Sequence, residues 1–136
     1  MSCWQTLRST LALQGSRILV VEDAPDIREV FTLLLRAEGA VVEAAANGRD
    51  ALELGASGDF DVVLSDLGLP DIPGDVLIRQ LLAQSRGRTR VLVVTGYGEP
   101  YLTRAKQAGA QVVFTKPVEW SRILEALQRP DLAASA

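Results

Sequence analysis

The most constraining feature of this sequence is a regular alternation of short apolar runs with segments of helical periodicity. We predict strands at 17–21, 40–46, 60–66, 90–95 and 111–115. A helix follows each run, the first from Pro25 to about Gly39 and the others at 49–56, 74–84, 100–108 and 119–128. Strands and helices that alternate in this way build a parallel sheet whose crossover helices cover both faces. The sequence therefore predicts a doubly wound α/β domain with a five-stranded parallel sheet, a (βα)5 arrangement.

The first predicted helix has a clear amphipathic pattern. Pro25 suits its first turn and Gly39 suits its termination. Its apolar residues recur at helical spacing: Ile27, Val30, Phe31, Leu34 and Leu35. We expect these five side chains to face the core as one stripe.

Four of the five predicted strands end in polar residues of distinct kinds or lead directly into them: Glu22 and Asp23, Asp66, Thr95, and Lys116. In an open parallel sheet, binding sites form outside the carboxyl ends of the strands, where the strand order reverses. We predict the flavodoxin-like order 2-1-3-4-5, in which the first and third strands are neighbours at that point. Asp23 and Asp66 are then expected side by side at one edge of the sheet.

Each of these residues also has a purely structural explanation. Glu22 and Asp23 suit the positive end of the following helix, and Asp66 could be a turn residue that bonds its own backbone. Thr95 is a β-branched strand former, and Lys116 could be a solvated charge. These explanations stay open residue by residue, but together they require four independent coincidences at one edge of the sheet.

Three carboxylates at this edge favour a metal-assisted reaction. Like charges held close together repel one another, so the cluster favours binding of a hard divalent cation. Mg²⁺ suits it, because Mg²⁺ needs only one or two carboxylates and keeps waters or phosphate oxygens as further ligands. One aspartate can then act as a nucleophile towards phosphorus, while Thr95, Lys116 and the amide of Gly96 bind the transferred oxygens.

Composition excludes several other functions. The 136 residues suit a single domain and contain no histidine, so a histidine phosphodonor must come from outside this sequence. The net charge of −3 without a basic cluster argues against direct binding of nucleic acid. No apolar run reaches the roughly 18 residues of a membrane span and no leader pattern is present, so we expect a cytoplasmic protein without membrane contact.

These features resemble the receiver domain of two-component response regulators. The resemblance extends over about residues 17–128 and rests on these motifs: Glu22-Asp23, Asp66 with Leu69-Pro70 and Gly74 after it, Thr95-Gly96, and Lys116-Pro117. It implies that Asp66 accepts a phosphoryl group from the phosphohistidine of a sensor histidine kinase or a histidine phosphotransfer protein.

The resemblance also implies a metal site and a switch. The implied Mg²⁺ ligands are Asp23 and Asp66 directly, the backbone carbonyl of Gly68, and Glu22 through water. The Lys116-Pro117 peptide is implied to be cis. On phosphorylation Thr95 is expected to move towards the phosphoryl group and to re-pack the face made by the fourth helix, fifth strand and fifth helix. An output protein or domain of unknown kind is the expected partner of that face.

One position departs from the family pattern. Receivers usually have Tyr or Phe three residues before the lysine, where this sequence has Val113. Phe114 is its neighbour, but successive side chains of a strand point to opposite faces, so we expect Phe114 to lie on the other face. We therefore predict coupling to the output face that is weaker or follows another route. Gly68 and Tyr97 occupy positions that border the approach of water in the family, so we expect them to influence the phosphoryl lifetime.

We predict a phosphoacceptor signalling domain that is not an enzyme beyond its own phosphorylation and dephosphorylation. One alternative is a constitutive protein-interaction module whose phosphosite is unused. Another is a hydrolase with Asp66 as nucleophile, which is disfavoured because the sequence indicates neither a substrate pocket nor a second acid–base group.

The predicted division of the chain has three parts. Residues 1–16 form an N-terminal extension or linker in which Trp4, Leu7 and Leu11 have helical spacing. The receiver domain covers 17–129, and 130–136 form a short tail. The tail is too short for a DNA-binding or catalytic output domain, so we expect either a stand-alone receiver or part of a hybrid kinase or longer regulator.

Overall fold

The computed structural model of the chain describes residues 11–129. Strands and helices alternate through this part of the chain, as predicted. The strands are β1 (Arg17–Val21), β2 (Val41–Ala45), β3 (Val62–Ser65), β4 (Arg90–Thr95) and β5 (Val112–Thr115). The helices are α1 (Pro25–Ala37), α2 (Gly48–Ser57), α3 (Gly74–Ser85), α4 (Tyr101–Ala108) and α5 (Trp120–Gln128). Element ends differ from the predicted ones by no more than two residues.

All five strands form one parallel sheet in the order β2-β1-β3-β4-β5. The predicted order is therefore confirmed. The direction of winding reverses between β1 and β3, because β2 lies on one side of β1 and the later strands lie on the other. Val21 pairs with Ser65, so the residues that follow β1 and β3 leave the sheet side by side.

Alternating side chains of the strands fill two separate cores, one on each face of the sheet. Val20 and Leu64 belong to the core that α1 and α5 cover, and Leu19 and Val63 belong to the core that α2, α3 and α4 cover. Strands of a parallel sheet covered on both faces are expected to be apolar throughout, which is why the runs in the sequence are continuous. This packing fixes the edge where the strands end.

The apolar stripe of α1 is only partly buried, and the prediction that it faces the core as a whole is wrong. Leu35 is fully buried, but Ile27 is 38% exposed and Val30 is 52% exposed. Val30 and Leu35 lie roughly 140° apart around the helix axis. Val30 therefore lies away from the buried side of the helix, whereas Ile27 lies between these two residues around the axis but in the first turn, and it is exposed as well.

The segment before β1 is packed against the domain where the structure describes it. Leu13 is 3% exposed in the core under α1 and α5. Its N–H donates to the carbonyl of Glu38 at 2.8 Å, and the N–H of Val41 donates to the carbonyl of Ser16 at 2.8 Å. The helical spacing that begins at Trp4 falls mainly on residues 1–10, which lie outside the described residues, as does the tail at 130–136.

Candidate functional site

The acidic residues predicted to meet at the switch point follow β1 and β3 directly. The N–H of Asp66 donates to the carbonyl of Val21 at 3.0 Å, which continues the β1–β3 ladder by one residue. Glu22 is likewise fixed by its own N–H, which donates to the carbonyl of Ala45 at 3.0 Å. Asp23 follows at the same edge with its side chain exposed. The backbone therefore places the acidic residues around the gap between β1 and β3.

Lys116, which follows the edge strand β5, contacts the acidic residues that follow β1 and β3. Its Nζ lies 3.1 Å from Oδ2 of Asp66 and 3.3 Å from Oε1 of Glu22. The N–H of Lys116 donates to the carbonyl of Thr95 at 2.8 Å, so β4 holds the residue that follows β5. The Lys116-Pro117 peptide is cis, as the resemblance implied. One ammonium group therefore contacts two carboxylates from two different strands.

Thr95 and Gly96 end β4 beside this cluster. The Thr95 side chain is fully buried, and its Oγ1 accepts the N–H of Tyr97 at 3.2 Å. Gly96 is exposed, and a methyl group placed on it would meet no atom within 4 Å. The space around Gly96 is therefore open to solvent at the end of the sheet.

Burial and the neighbouring groups of the cluster shift the pKa values of Asp66, Lys116 and Glu22. Burial alone would raise the pKa of Asp66, but hydrogen bonds from Thr95, Lys116 and the Gly68 amide together hold that pKa below its ordinary value. Burial likewise disfavours the charged form of Lys116, yet the carboxylates of Asp66 and Glu22 raise its pKa. Burial raises the pKa of Glu22, and the nearby charge of Asp66 adds to that effect. Asp66 is thus an ionised carboxylate at neutral pH.

The donor set of this edge fits a hard divalent cation. Its side-chain ligands are all carboxylates, and three of them against the one ammonium of Lys116 leave two negative charges in excess. Within residues 11–129 no three ligating side chains are gathered into a complete metal cluster. The ligands that the resemblance implies, Asp23 and Asp66 with the Gly68 carbonyl and water, stay a prediction and correspond to the sparse ligation that Mg²⁺ accepts.

The acceptor loop, which we define as residues 66–74, folds tightly after Asp66. Oδ1 of Asp66 accepts the N–H groups of Leu67 at 2.6 Å and of Gly68 at 3.3 Å. The hydroxyl of Tyr97 lies over Gly68, because a methyl group at position 68 would be 3.0 Å from it. Gly68, which contacts the Asp66 carboxylate through its amide, therefore also contacts Tyr97, and the influence of these two residues on the phosphoryl lifetime stays a prediction.

The two neighbours on β5 lie as the alternation of side chains predicts. Val113 is partly buried against the core under α2, α3 and α4, and Phe114 is buried in the core on the opposite face. Arg122 of α5 stacks on the Phe114 ring, with its guanidinium carbon 5.9 Å from the ring centroid. Phe114 therefore does not replace the missing aromatic at position 113.

Two contacts near the site were not anticipated from the sequence. Nη1 of Arg28 donates to the carbonyl of Glu22 at 2.9 Å, so the first turns of α1 hold the chain after β1. Asp71 of the acceptor loop accepts two backbone N–H groups at the start of α2. The sequence offers only a weak signal for either residue, because a charged side chain on a helix or loop is usually solvated.

The strand order and the acidic cluster define a flavodoxin-like α/β domain that carries carboxylates at the switch point of its sheet. Residues 18–128 match the family model described as the response regulator receiver domain. The chain belongs to this family.

Relatives support this assignment over most of the chain. The response regulator protein PilR of Pseudomonas aeruginosa is 37% identical over 114 residues, which cover 83% of this chain and 25% of PilR. The transcriptional regulatory protein CusR of Escherichia coli is 30% identical over 109 residues, covering 79% of this chain and 48% of CusR. This chain therefore spans between about a quarter and half of the length of these relatives.

Solved structures of receiver domains have the same fold. A response regulator protein from Burkholderia pseudomallei, crystallised with a phosphorylated aspartic acid, a calcium ion and citrate, has a TM-score of 0.80 at 30% identity, over 89% of this chain and 70% of that one. The regulator TrrA of Thermotoga maritima, in complex with Mg²⁺ and BeF, has a TM-score of 0.76 at 28% identity, over 84% of this chain and 97% of that one.

No helix between residues 11 and 129 is long and apolar enough to cross a membrane. The cytoplasmic location stays a prediction from the sequence.

Proposed function

We propose that this receiver domain accepts a phosphoryl group on Asp66 from a phosphohistidine of a sensor histidine kinase or a histidine phosphotransfer protein. The observation on which this rests is the contact of 3.1 Å between Lys116 Nζ and Asp66 Oδ2 at the switch point of the sheet. It pairs an ionised carboxylate, the nucleophile, with a cation that can also bind a phosphoryl oxygen. The chain has no histidine, so the donor is a separate protein or domain.

The proposed step exchanges one bond to phosphorus for another. A carboxylate oxygen of Asp66 attacks phosphorus, and the bond between phosphorus and the donor imidazole nitrogen breaks. The electron pair of that bond stays on the nitrogen, which takes a proton from solvent. A bound Mg²⁺ supplies neutralisation of the phosphoryl charge, and Asp23, Asp66, the Gly68 carbonyl and, through water, Glu22 are the residues that would hold it.

The other residues of the site bind the transferred group. Lys116 is close enough to Asp66 to pair with an oxygen of the phosphoryl group once that group is attached. The Thr95 hydroxyl and the Gly96 amide supply two further hydrogen-bond donors at the end of β4. When Thr95 turns towards the phosphoryl group, its Oγ1 gives up the N–H of Tyr97, which lies 3.2 Å away in the unphosphorylated chain. Tyr97 belongs to the loop before α4, so the loss of this hydrogen bond would link phosphorylation of Asp66 to that loop.

We infer that the chain is not an enzyme for a separate substrate. The groups around Asp66 suit one phosphoryl transfer to the chain itself and its later loss to water. The output partner is a protein or domain that recognises the face of α4, β5 and α5. A constitutive interaction module with the same fold remains the alternative.

One experiment tests the proposal. The protein is incubated with Mg²⁺ and acetyl phosphate, and intact mass spectrometry measures the product. We expect a single phosphoryl mass increment that is absent in Asp66→Asn and retained in Asp61→Asn, which alters an aspartate at the other end of β3. An unmodified wild-type protein would instead support the constitutive interaction module.

A further inference from the structure

Asp71 ties the acceptor loop to the second helix. Its Oδ1 accepts the N–H of Gly48 at 2.8 Å, and its Oδ2 accepts the N–H of Arg49 at 2.9 Å. These are the first two amides of α2, while the side chain of Asn47 caps the amide of Asp50. A carboxylate at a helix N-terminus is favoured by the free amides and by the helix dipole. One side chain therefore joins two segments that are distant in sequence.

The acceptor loop is also held by close packing beside this contact. Ile72 lies against the start of α2, because a methyl group on Gly48 would be only 2.9 Å from Ile72 Cδ1. At the two ends of the loop, Leu67 is 6% exposed and a methyl group on Gly74 would lie 2.8 Å from Leu67 Cα. The path of the loop is thus fixed at both ends and at Asp71.

Gly68 lies in the middle of this restrained path. The N–H of Leu69 donates to the carbonyl of Leu67 at 3.0 Å, which closes a three-residue turn centred on Gly68. The hydrogen bond of this turn is accepted by the Leu67 carbonyl, so it does not involve the Gly68 carbonyl. Only Leu69 and Pro70 separate Gly68 from Asp71, and proline restricts the backbone between them. Asp71 is therefore an anchor of the loop only three residues away from Gly68.

We propose that Asp71 is a positioning residue for the metal site, which holds the acceptor loop in the path that presents the Gly68 carbonyl at the acidic edge. The proposal rests on the proposed function, in which that carbonyl is a ligand. A backbone ligand can be oriented only through the backbone, so its position depends on contacts elsewhere in the loop. The amides of Arg49 and Gly48 also hold the pKa of Asp71 below its ordinary value, so its carboxylate is ionised at neutral pH.

The test compares Asp71→Ala and Asp71→Asn with Asp61→Ala as the matched control. Asp61 also uses its side chain to accept a distant backbone N–H, that of Arg17 at 2.8 Å, but at the opposite end of the sheet. Mg²⁺ binding is measured from amide chemical shifts in NMR without any phosphodonor. The rate of phosphorylation by acetyl phosphate is then measured against Mg²⁺ concentration.

We expect Asp71→Ala to require about tenfold more Mg²⁺ for half-saturation, the usual cost of losing a residue that orients a ligand. Its phosphorylation rate at saturating Mg²⁺ should stay within about twofold of the wild type, because Asp71 does not touch the reacting atoms. Asp71→Asn, which keeps one acceptor oxygen, should show a smaller shift in the same direction. Asp61→Ala should bind Mg²⁺ like the wild type.

An unchanged Mg²⁺ midpoint in both Asp71 variants would overturn the proposal and leave Asp71 as a simple helix cap. If Asp71→Ala does not fold, Asp71→Asn alone decides. A wild-type protein that binds Mg²⁺ but takes no phosphate would contradict the proposed function, while the NMR midpoints would still report on Asp71.

Discussion

Lys116 Nζ lies 3.1 Å from Asp66 Oδ2 and 3.3 Å from Glu22 Oε1, so a single ammonium is shared by two carboxylates and offsets only part of their charge. The Glu22 and Asp66 side chains are 5% and 13% exposed, which makes this shared contact far less screened than a surface ion pair. The pKa values of both carboxyl groups therefore depend on Lys116.

Replacing Lys116 by methionine should slow phosphorylation strongly. The variant keeps the apolar stem but removes the cation that would bind a phosphoryl oxygen. We expect the rate with acetyl phosphate at saturating Mg²⁺ to fall roughly 10²-fold, the cost of losing one preorganised donor. Lys106→Met, which removes the only other lysine of the chain, is the control and should react like the wild type. A rate in Lys116→Met within twofold of the control would contradict the role of Lys116.

Neutralising Glu22 should stabilise the metal-free protein. Burial and the charge of Asp66 raise the pKa of Glu22, so its charged form opposes folding at neutral pH. We expect Glu22→Gln to increase the free energy of unfolding at pH 7 in EDTA by about 0.5–2 kcal/mol, as is common when a functional charge is removed. Chemical denaturation with urea measures this difference, and an equal or lower stability of the variant would contradict it.

The same residue should give the wild type a characteristic pH dependence. A carboxyl with a raised pKa contributes stability that is fully present below its ordinary value of 4.5 and is lost as pH rises through its value in the folded state. As the pH falls from 7 to 5, the free energy of unfolding of the wild type in EDTA should therefore increase relative to that of Glu22→Gln. Asp66 and Asp71 remain ionised in this window, because their pKa values are lowered. If urea denaturation shows the same difference in the free energy of unfolding between the two proteins at every pH in this range, Glu22 is not the source of the pH dependence.

Introducing an aromatic ring at position 113 should strengthen coupling to the output face. Val113 faces the core under α2, α3 and α4, the face on which a ring could change rotamer with Thr95, whereas Phe114 is buried on the other face. In Val113→Tyr we expect phosphorylation with acetyl phosphate to produce larger amide shift changes in α4 and α5 than in the wild type. Val113→Leu, which adds volume without a ring, should not. Equal shifts in all three proteins would argue against this role for position 113.

The start of α3 should tolerate no side chain at its first residue. A methyl group on Gly74 would lie 2.8 Å from the backbone Cα of Leu67, and that backbone cannot move without displacing the acceptor loop. We expect Gly74→Ala to lower the free energy of unfolding by about 1–3 kcal/mol, as overpacking does. Gly98→Ala meets no atom within 4 Å and serves as the control. Matching thermal denaturation midpoints for the two variants would show that the loop adapts.

Local patterns in the sequence predict the strands and helices, their succession along the chain and the residue types at the strand ends. These follow from local signals, because the apolar runs report burial on both faces and Gly or Pro residues end the helices. Even the opposite placement of Val113 and Phe114 follows from the alternation of side chains along a strand. The prediction that Asp23 and Asp66 are neighbours required one further assumption, the order of the strands in the sheet.

The distances between groups that are far apart in sequence, and the contact made by Asp71, could be read only from the tertiary structure. Lys116 reaches Glu22 across 94 residues and Asp66 across 50, and Asp71 reaches the start of α2 across 22 and 23. It also decided how much of α1 is covered, since Ile27 and Val30 share a periodic stripe with Leu35 but remain exposed. Periodicity reports which side of an element is apolar, whereas the area covered and the distances between side chains depend on how the sheet, helices and loops pack together.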